Sequence, residues 1–143
     1  NKEFLGNSTF GTDGSGAMSL KLSNSELYMD GSKIAIFSLS RIPTFIKYFL
    51  KANKINSKKL KLLALHQASR YVCEKLKEKL NLPNKKFYFN YSKIGNTVSS
   101  SIPIVLKNCD KNKNIKNNDT IVACGFGVGL SWGIIRIKWS KLI

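Results

Sequence analysis

His66 is the only histidine in the chain, and it stands directly after the apolar run Leu60 to Leu65. A run of that length reads as a strand, and the pattern Val72, Leu76, Leu80 that follows Gln67 reads as an amphipathic helix. His66 is therefore expected at a strand-to-helix junction, where the carboxyl ends of strands in α/β sheets open into a crevice. Asn96, between Gly95 and Thr97, occupies what reads as a second such junction. If the two strands are parallel neighbours, an imidazole and an amide lie side by side at one sheet edge, as two neutral donors directed at one oxygen. Such a pair can form an oxyanion hole, which stabilises negative charge as it develops. Taken singly, each residue also has a structural reading: His66 as a satisfied structural group, Asn96 as a helix N-cap or left-handed turn residue.

A nucleophile to accompany these donors is harder to find. Cys73 lies seven residues beyond His66 along the expected helix, roughly 10 Å at the 1.5 Å rise per residue, too far for a Cys-His pair. Cys109 falls at a loop edge and Cys124 inside a strand, so all three thiols read as inert. Their spacing fits neither paired zinc ligands nor a disulfide framework, and no metal or cofactor is expected. The glycines of Gly125-Phe126-Gly127-Val128-Gly129 lie between two strands with no helix start and no following Lys-Ser/Thr, which argues against a phosphate loop. A close backbone approach to the crevice suits them better.

The elements that must position these residues alternate. Residues 1–25 read as short extended pieces flanking the turn Gly11 to Gly16. Asp30-Gly31-Ser32 can cap a helix that runs to residue 52 and is kinked by Pro43. After the strand to Leu65 and the helix from Gln67, residues 86–90 alternate Phe87 and Phe89 against Tyr88 and read as a strand. A helix passes through Ser101 to Leu106, the Lys/Asn-rich tract 107–118 reads as an exposed loop, and strands 120–124 and 131–139 close the chain. The expected fold is α/β: a mixed sheet layered with helices, ending in two adjacent strands that must be antiparallel because their turn is too short for a crossover.

At 143 residues, 43% hydrophobic and 22% charged, the chain reads as one packed domain over 1–143, which excludes disordered and low-complexity classes. No stretch approaches the roughly 20 apolar residues of a membrane span, and no leader opens the sequence, so a cytoplasmic protein is expected. Because the chain opens on Asn1 rather than Met, it is expected to be a piece of something longer. The net charge of +16 admits another class, a basic module that binds nucleic acid or an acidic protein. Only Arg41, Arg70 and Arg136 are arginines, however, and the lysines are spread along loops and a polar helix side beside 14 asparagines. Arginine does most bidentate phosphate and base recognition, so a solvated basic surface and no nucleic-acid partner is the reading preferred.

Three segments together carry a resemblance: His66-Gln67-Ala68-Ser69, then Tyr91 through Gly95-Asn96-Thr97 to Pro103, then Gly125 through Gly129 to Gly133. In this order and spacing the chain resembles the C-terminal half of a beta-ketoacyl-acyl-carrier-protein synthase III, a thiolase-fold condensing enzyme of fatty acid biosynthesis. The likeness runs from Thr12-Asp13-Gly14 and Tyr28-Met29-Asp30-Gly31 to the closing strand. It implies that a cysteine takes an acyl group from a coenzyme A thioester, and that malonyl-acyl carrier protein is then decarboxylated and condensed with it. It further implies that His66 and Asn96 hold the malonyl thioester oxygen, that the Val128 N–H serves the acyl-transfer step, and that Phe126 crowds the carboxylate. Gly31, Ser32 and Ser69 match positions near the pantetheine arm. The family's nucleophilic cysteine and most of its homodimer interface belong to an N-terminal half that this sequence lacks, which implies a chain inactive alone. Ser69 stands where asparagine is usual, Tyr71 where arginine is, with Arg70 shifted one place, and Val128 replaces a glycine. These departures leave open a relative of a specialised pathway that transfers acyl groups to oxygen or nitrogen.

Overall fold

The computed structural model describes residues 4–140; Asn1 lies outside them. Strand β1 (Leu5–Thr12) leads through a 3-10 turn into a two-stranded hairpin, β2 (Leu20–Ser23) and β3 (Glu26–Met29). Helix α1 (Gly31–Ala52) follows. The Asp30 carboxylate accepts from the Lys33 N–H at its start, as the sequence predicts, and the helix continues through Pro43. Then come β4 (Leu60–Leu65), α2 (Arg70–Leu80), the single turn α3 (Tyr91–Ile94), α4 (Ser101–Lys111), β5 (Thr120–Gly127) and β6 (Ser131–Lys138).

Four strands form one sheet in the order β1-β6-β5-β4. β4 and β5 are parallel, while β5–β6 and β6–β1 are antiparallel, which is the mixed sheet expected from the short final turn. The alternation of side chains sorts the core into two layers. On one face Leu63, Leu65, Val122, Cys124, Phe126 and Ile134 pack against α1 and α2. On the other, Leu62, Ala64, Ile121 and Ala123 pack against Val105 and Cys109 of α4. β4 is covered on both sides, which is why it reads as an unbroken apolar run rather than an alternating one.

Cover on the second face is partial. Beside α4, a groove of about 420 Å³ runs over β1 and β6, lined by Ser8, Phe10, Gly133, Ile135 and Ile137. Phe10 on that edge strand is 87% exposed.

Several expected boundaries move. Residues 86–90 are not a strand: beyond a 3-10 turn, only Phe87 bridges to Leu63. The alternation is nevertheless real, with Phe87 and Phe89 packed in the first core layer and Tyr88 in the second. What is missing is the ladder, because the Tyr88 carbonyl and the Asn90 N–H bind the side-chain amide of Gln67 instead. α2 starts at Arg70 rather than Gln67, because the Ser69 hydroxyl caps it by accepting from the Val72 N–H. α4 runs through Lys111 into the tract read as a loop, with Cys109 and Ile115 buried beneath its polar residues. Among the lysines assigned to the solvated surface, Lys86 is buried, its Nζ donating to the Leu60 carbonyl.

Candidate functional site

His66 continues β4 by one residue, its N–H donating to the Cys124 carbonyl at 2.9 Å, so the neighbouring strand fixes its backbone. Two contacts fix the ring. The Phe126 ring stands edge-on at 5.4 Å between centroids and 83°, and the Ser101 Oγ lies 2.8 Å from Nδ1. Burial pushes the imidazole pKa below its ordinary value, and the Val98 backbone works in the opposite direction.

Behind the ring, Gln67 is fully buried and bridges two chain segments, accepting from the Asn90 N–H at 2.7 Å and donating to the Tyr88 carbonyl at 3.0 Å. A buried polar group with both its amide atoms satisfied is a rigid connector. It ties the end of β4 to the segment that leads into α3.

Asn96 is not at a strand-to-helix junction, because the expected preceding strand does not form. It lies in an exposed loop after α3, which ends at Gly95 with φ 65°, a left-handed conformation suited to glycine. Asn96 Oδ1 accepts from the Val98 N–H at 2.9 Å. This contact fixes the orientation of the amide, and its NH₂ group has no hydrogen-bond partner among the described residues. Val98 itself has φ 52°, an uncommon state for a β-branched residue and one that clusters at functional sites. His66 and Asn96 are therefore not paired by neighbouring strands. They stand at the two ends of one hydrogen-bonded chain: Asn96 Oδ1 to the Val98 N–H, then the Val98 carbonyl to Ser101 Oγ, then His66 Nδ1.

Alongside lies an open cavity of about 570 Å³ lined by Ser69, Arg70, Tyr91, Ser92, Gly95 and Asn96. His66 is not among its lining residues. Gly125 to Gly127 extend β5, so the turn is shorter than the glycine pattern suggests; Phe126 is buried against His66 and Val128 projects from the turn, 61% exposed. Gly31 and Ser32 form the open first turn of α1, and no hydrogen bond among the described residues joins either to His66 or Asn96.

The thiols are unreactive for a physical reason. Burial pushes Cys73 and Cys109 up to about 11 and Cys124 up to about 12. Cys73 Sγ lies 3.9 Å from the His66 carbonyl oxygen, a backbone contact that leaves the imidazole without a thiol partner. No cluster among the described residues could hold a metal ion, and no described helix is long and apolar enough to cross a membrane.

The residues that sequence reasoning missed are Gln67 and Ser101, which position the others. Gln67 carried one usable signal, an uncharged polar residue directly behind a fully apolar strand.

The mixed β1-β6-β5-β4 sheet layered with helices has the thiolase fold of solved relatives. A solved 3-oxoacyl-acyl-carrier-protein synthase III superposes with a TM-score of 0.90 at 28% identity, covering 97% of this chain and 49% of that one. Residues 50–139 match the family described as 3-oxoacyl-acyl-carrier-protein synthase III C terminal, and the chain belongs to that family. A beta-ketoacyl-acyl-carrier-protein synthase III from Prochlorococcus marinus is 38% identical over 116 residues, 81% of this chain and 35% of the relative. Its counterpart from Listeria innocua is 37% identical over 132 residues, 92% and 42% respectively. The chain thus spans less than half the length of these relatives.

Proposed function

We propose that this chain is the C-terminal half of a condensing enzyme that joins an acyl thioester to malonyl-acyl carrier protein with loss of carbon dioxide, in fatty acid biosynthesis. The observation that carries this reading is the placement of the His66 imidazole and the Asn96 amide at the ends of one hydrogen-bonded chain, in a fold that has no reactive thiol.

When the bond between the malonyl α-carbon and its carboxylate breaks, the electron pair passes to the thioester as an enolate, and the charge gathers on the thioester oxygen. A fixed amide NH₂ and the His66 ring, once protonated on the nitrogen that faces that oxygen, lower the barrier. The enolate carbon then attacks the acyl carbon held on a cysteine, and the cysteine leaves as thiolate. In this reading that cysteine belongs to residues outside this sequence, and acylation places its charge on backbone N–H groups, Val128 among them. Phe126 crowds the leaving carboxylate and keeps water from the His66 ring. Ser69, Gly31 and Ser32 flank the pantetheine arm, which brings acyl carrier protein or a coenzyme A thioester to the site.

The uncovered groove over β1 and β6 supports the view that a second half packs there, as does coverage of only 35–42% of the relatives. The full protein is then a cytoplasmic homodimer. The test is condensation of an acyl-coenzyme A with malonyl-acyl carrier protein. This chain alone should give no turnover, the protein encoded together with its upstream sequence should give turnover, and its Asn96→Ala variant should lose it. Turnover by the chain alone that disappears on mutating Cys73, Cys109 or Cys124 would overturn the reading.

A further inference from the structure

Around Ser101 the hydrogen bonds can run in only one consistent direction. A serine hydroxyl has a single hydrogen and two lone pairs. Its Oγ meets three groups: the Val98 carbonyl at 3.0 Å, His66 Nδ1 at 2.8 Å and the Gln67 N–H at 3.4 Å. The carbonyl can only accept and the backbone N–H can only donate. If the hydroxyl hydrogen pointed at Nδ1, the Ser101 and Val98 oxygens would face each other at 3.0 Å with no hydrogen between them. Directed at the carbonyl, it satisfies that contact and leaves both Oγ lone pairs for donors, the Gln67 N–H and an Nδ1–H.

We propose that Ser101 is a positioning residue that sets the tautomer of His66, holding the proton of the neutral ring on Nδ1 so that Nε2 carries the free lone pair. Ser101 also couples the two ends of the site, because the same Val98 that receives its hydroxyl hydrogen donates its N–H to Asn96.

The catalytic meaning of this tautomer rests on the condensing-enzyme reading; the tautomer itself does not. It makes the two predicted donors unequal. The Asn96 NH₂ donates to a substrate oxygen unconditionally, whereas Nε2 of the neutral ring only accepts. His66 becomes a donor there once Nε2 has taken a second proton from solvent.

A single histidine makes the test unambiguous, since every imidazole signal in the chain belongs to His66. In long-range proton–nitrogen spectra of the ¹⁵N-labelled 143-residue chain, recorded where the ring is neutral, Nδ1 should give the protonated, pyrrole-type signal and Nε2 the pyridine-type signal. Ser101→Thr keeps a hydroxyl and should keep that assignment. Ser101→Ala should exchange the two signals toward the Nε2–H form that free histidine prefers. A wild-type ring with Nδ1 pyridine-type overturns the proposal, and so does a Ser101→Ala ring that keeps Nδ1–H. A correct tautomer in an intact protein that fails to decarboxylate malonyl thioesters would overturn the functional reading instead and leave this one standing.

Discussion

The two halves of the site are built by opposite means. His66 extends a buried strand and is held by a backbone hydrogen bond to β5, an aromatic edge, a serine hydroxyl and the buried Gln67 behind it. Asn96 sits in an exposed loop and is held by one local contact to Val98, across a backbone that strains to make it. Oxyanion donors must be in place before charge develops. The two proposed donors are held on one side through the core and on the other through a turn, so the two sides should fail differently when damaged.

The largest expected effect treats them alike. In the intact protein, His66→Ala and Asn96→Ala should each slow malonyl decarboxylation on the order of 100- to 1000-fold, the scale for losing one oxyanion donor. Covalent acylation of the nucleophilic cysteine, followed separately by mass spectrometry, should suffer much less. If both variants decarboxylate normally but fail to acylate, His66 acts as the base of a Cys-His pair and the function becomes plain acyl transfer.

Stability separates the halves. Gln67→Leu strands the Tyr88 carbonyl and the Asn90 N–H, and at roughly 1–3 kcal/mol for each unsatisfied buried group it should cost about 2–6 kcal/mol. Urea unfolding of the chain reads this directly, and an unchanged midpoint would mean that water replaces the amide at no cost. Asn96→Ala should cost about 1 kcal/mol or less in the same measurement, the range for a lost local side-chain cap.

The smallest effect is in pH. Burial lowers the His66 pKa, so the unfolded chain binds a proton more readily than the folded one. Its contribution to stability is therefore complete above the unfolded imidazole pKa of about 6.5 and is lost as pH falls below it toward the folded value. Substituting His66→Gln should flatten the stability profile in that window, whereas Asn96→Ala should leave the slope intact.

What could be read from the sequence follows the same division. Strand β4, the helix capped by Asp30, the antiparallel final pair and His66 at its strand end were all legible, because each is written in a run, a period or a spacing. The layering of Phe87 and Phe89 against Tyr88 was legible too, but not the absence of a ladder there. That depended on a side chain 21 residues upstream competing for the backbone. Asn96 was placed at a strand end, where no strand forms, for the same reason. Ser101 was hidden because a small polar residue at a helix start has many ordinary uses, and its hydroxyl gains meaning only from three partners that folding brings together. Lysines and asparagines masked the last turn of α4, since periodicity weakens when few apolar residues mark the buried side.

The order in which the sheet is assembled has a consequence for how the chain reaches this state. β1 is the first described strand and pairs with β6, the last described one: Phe10 meets Gly133 and Thr12 meets Ser131. A contact between strands this far apart in sequence closes a long loop, and such contacts form late and slow folding. Until β6 emerges from the ribosome, β1 is an unpaired strand carrying Leu5 and Phe10, the kind of edge that recruits other chains. A truncation that removes β6 would leave both β1 and β5 without their shared partner. The yield of soluble protein should therefore depend on β6 more steeply than on any loop, including the one that carries Asn96.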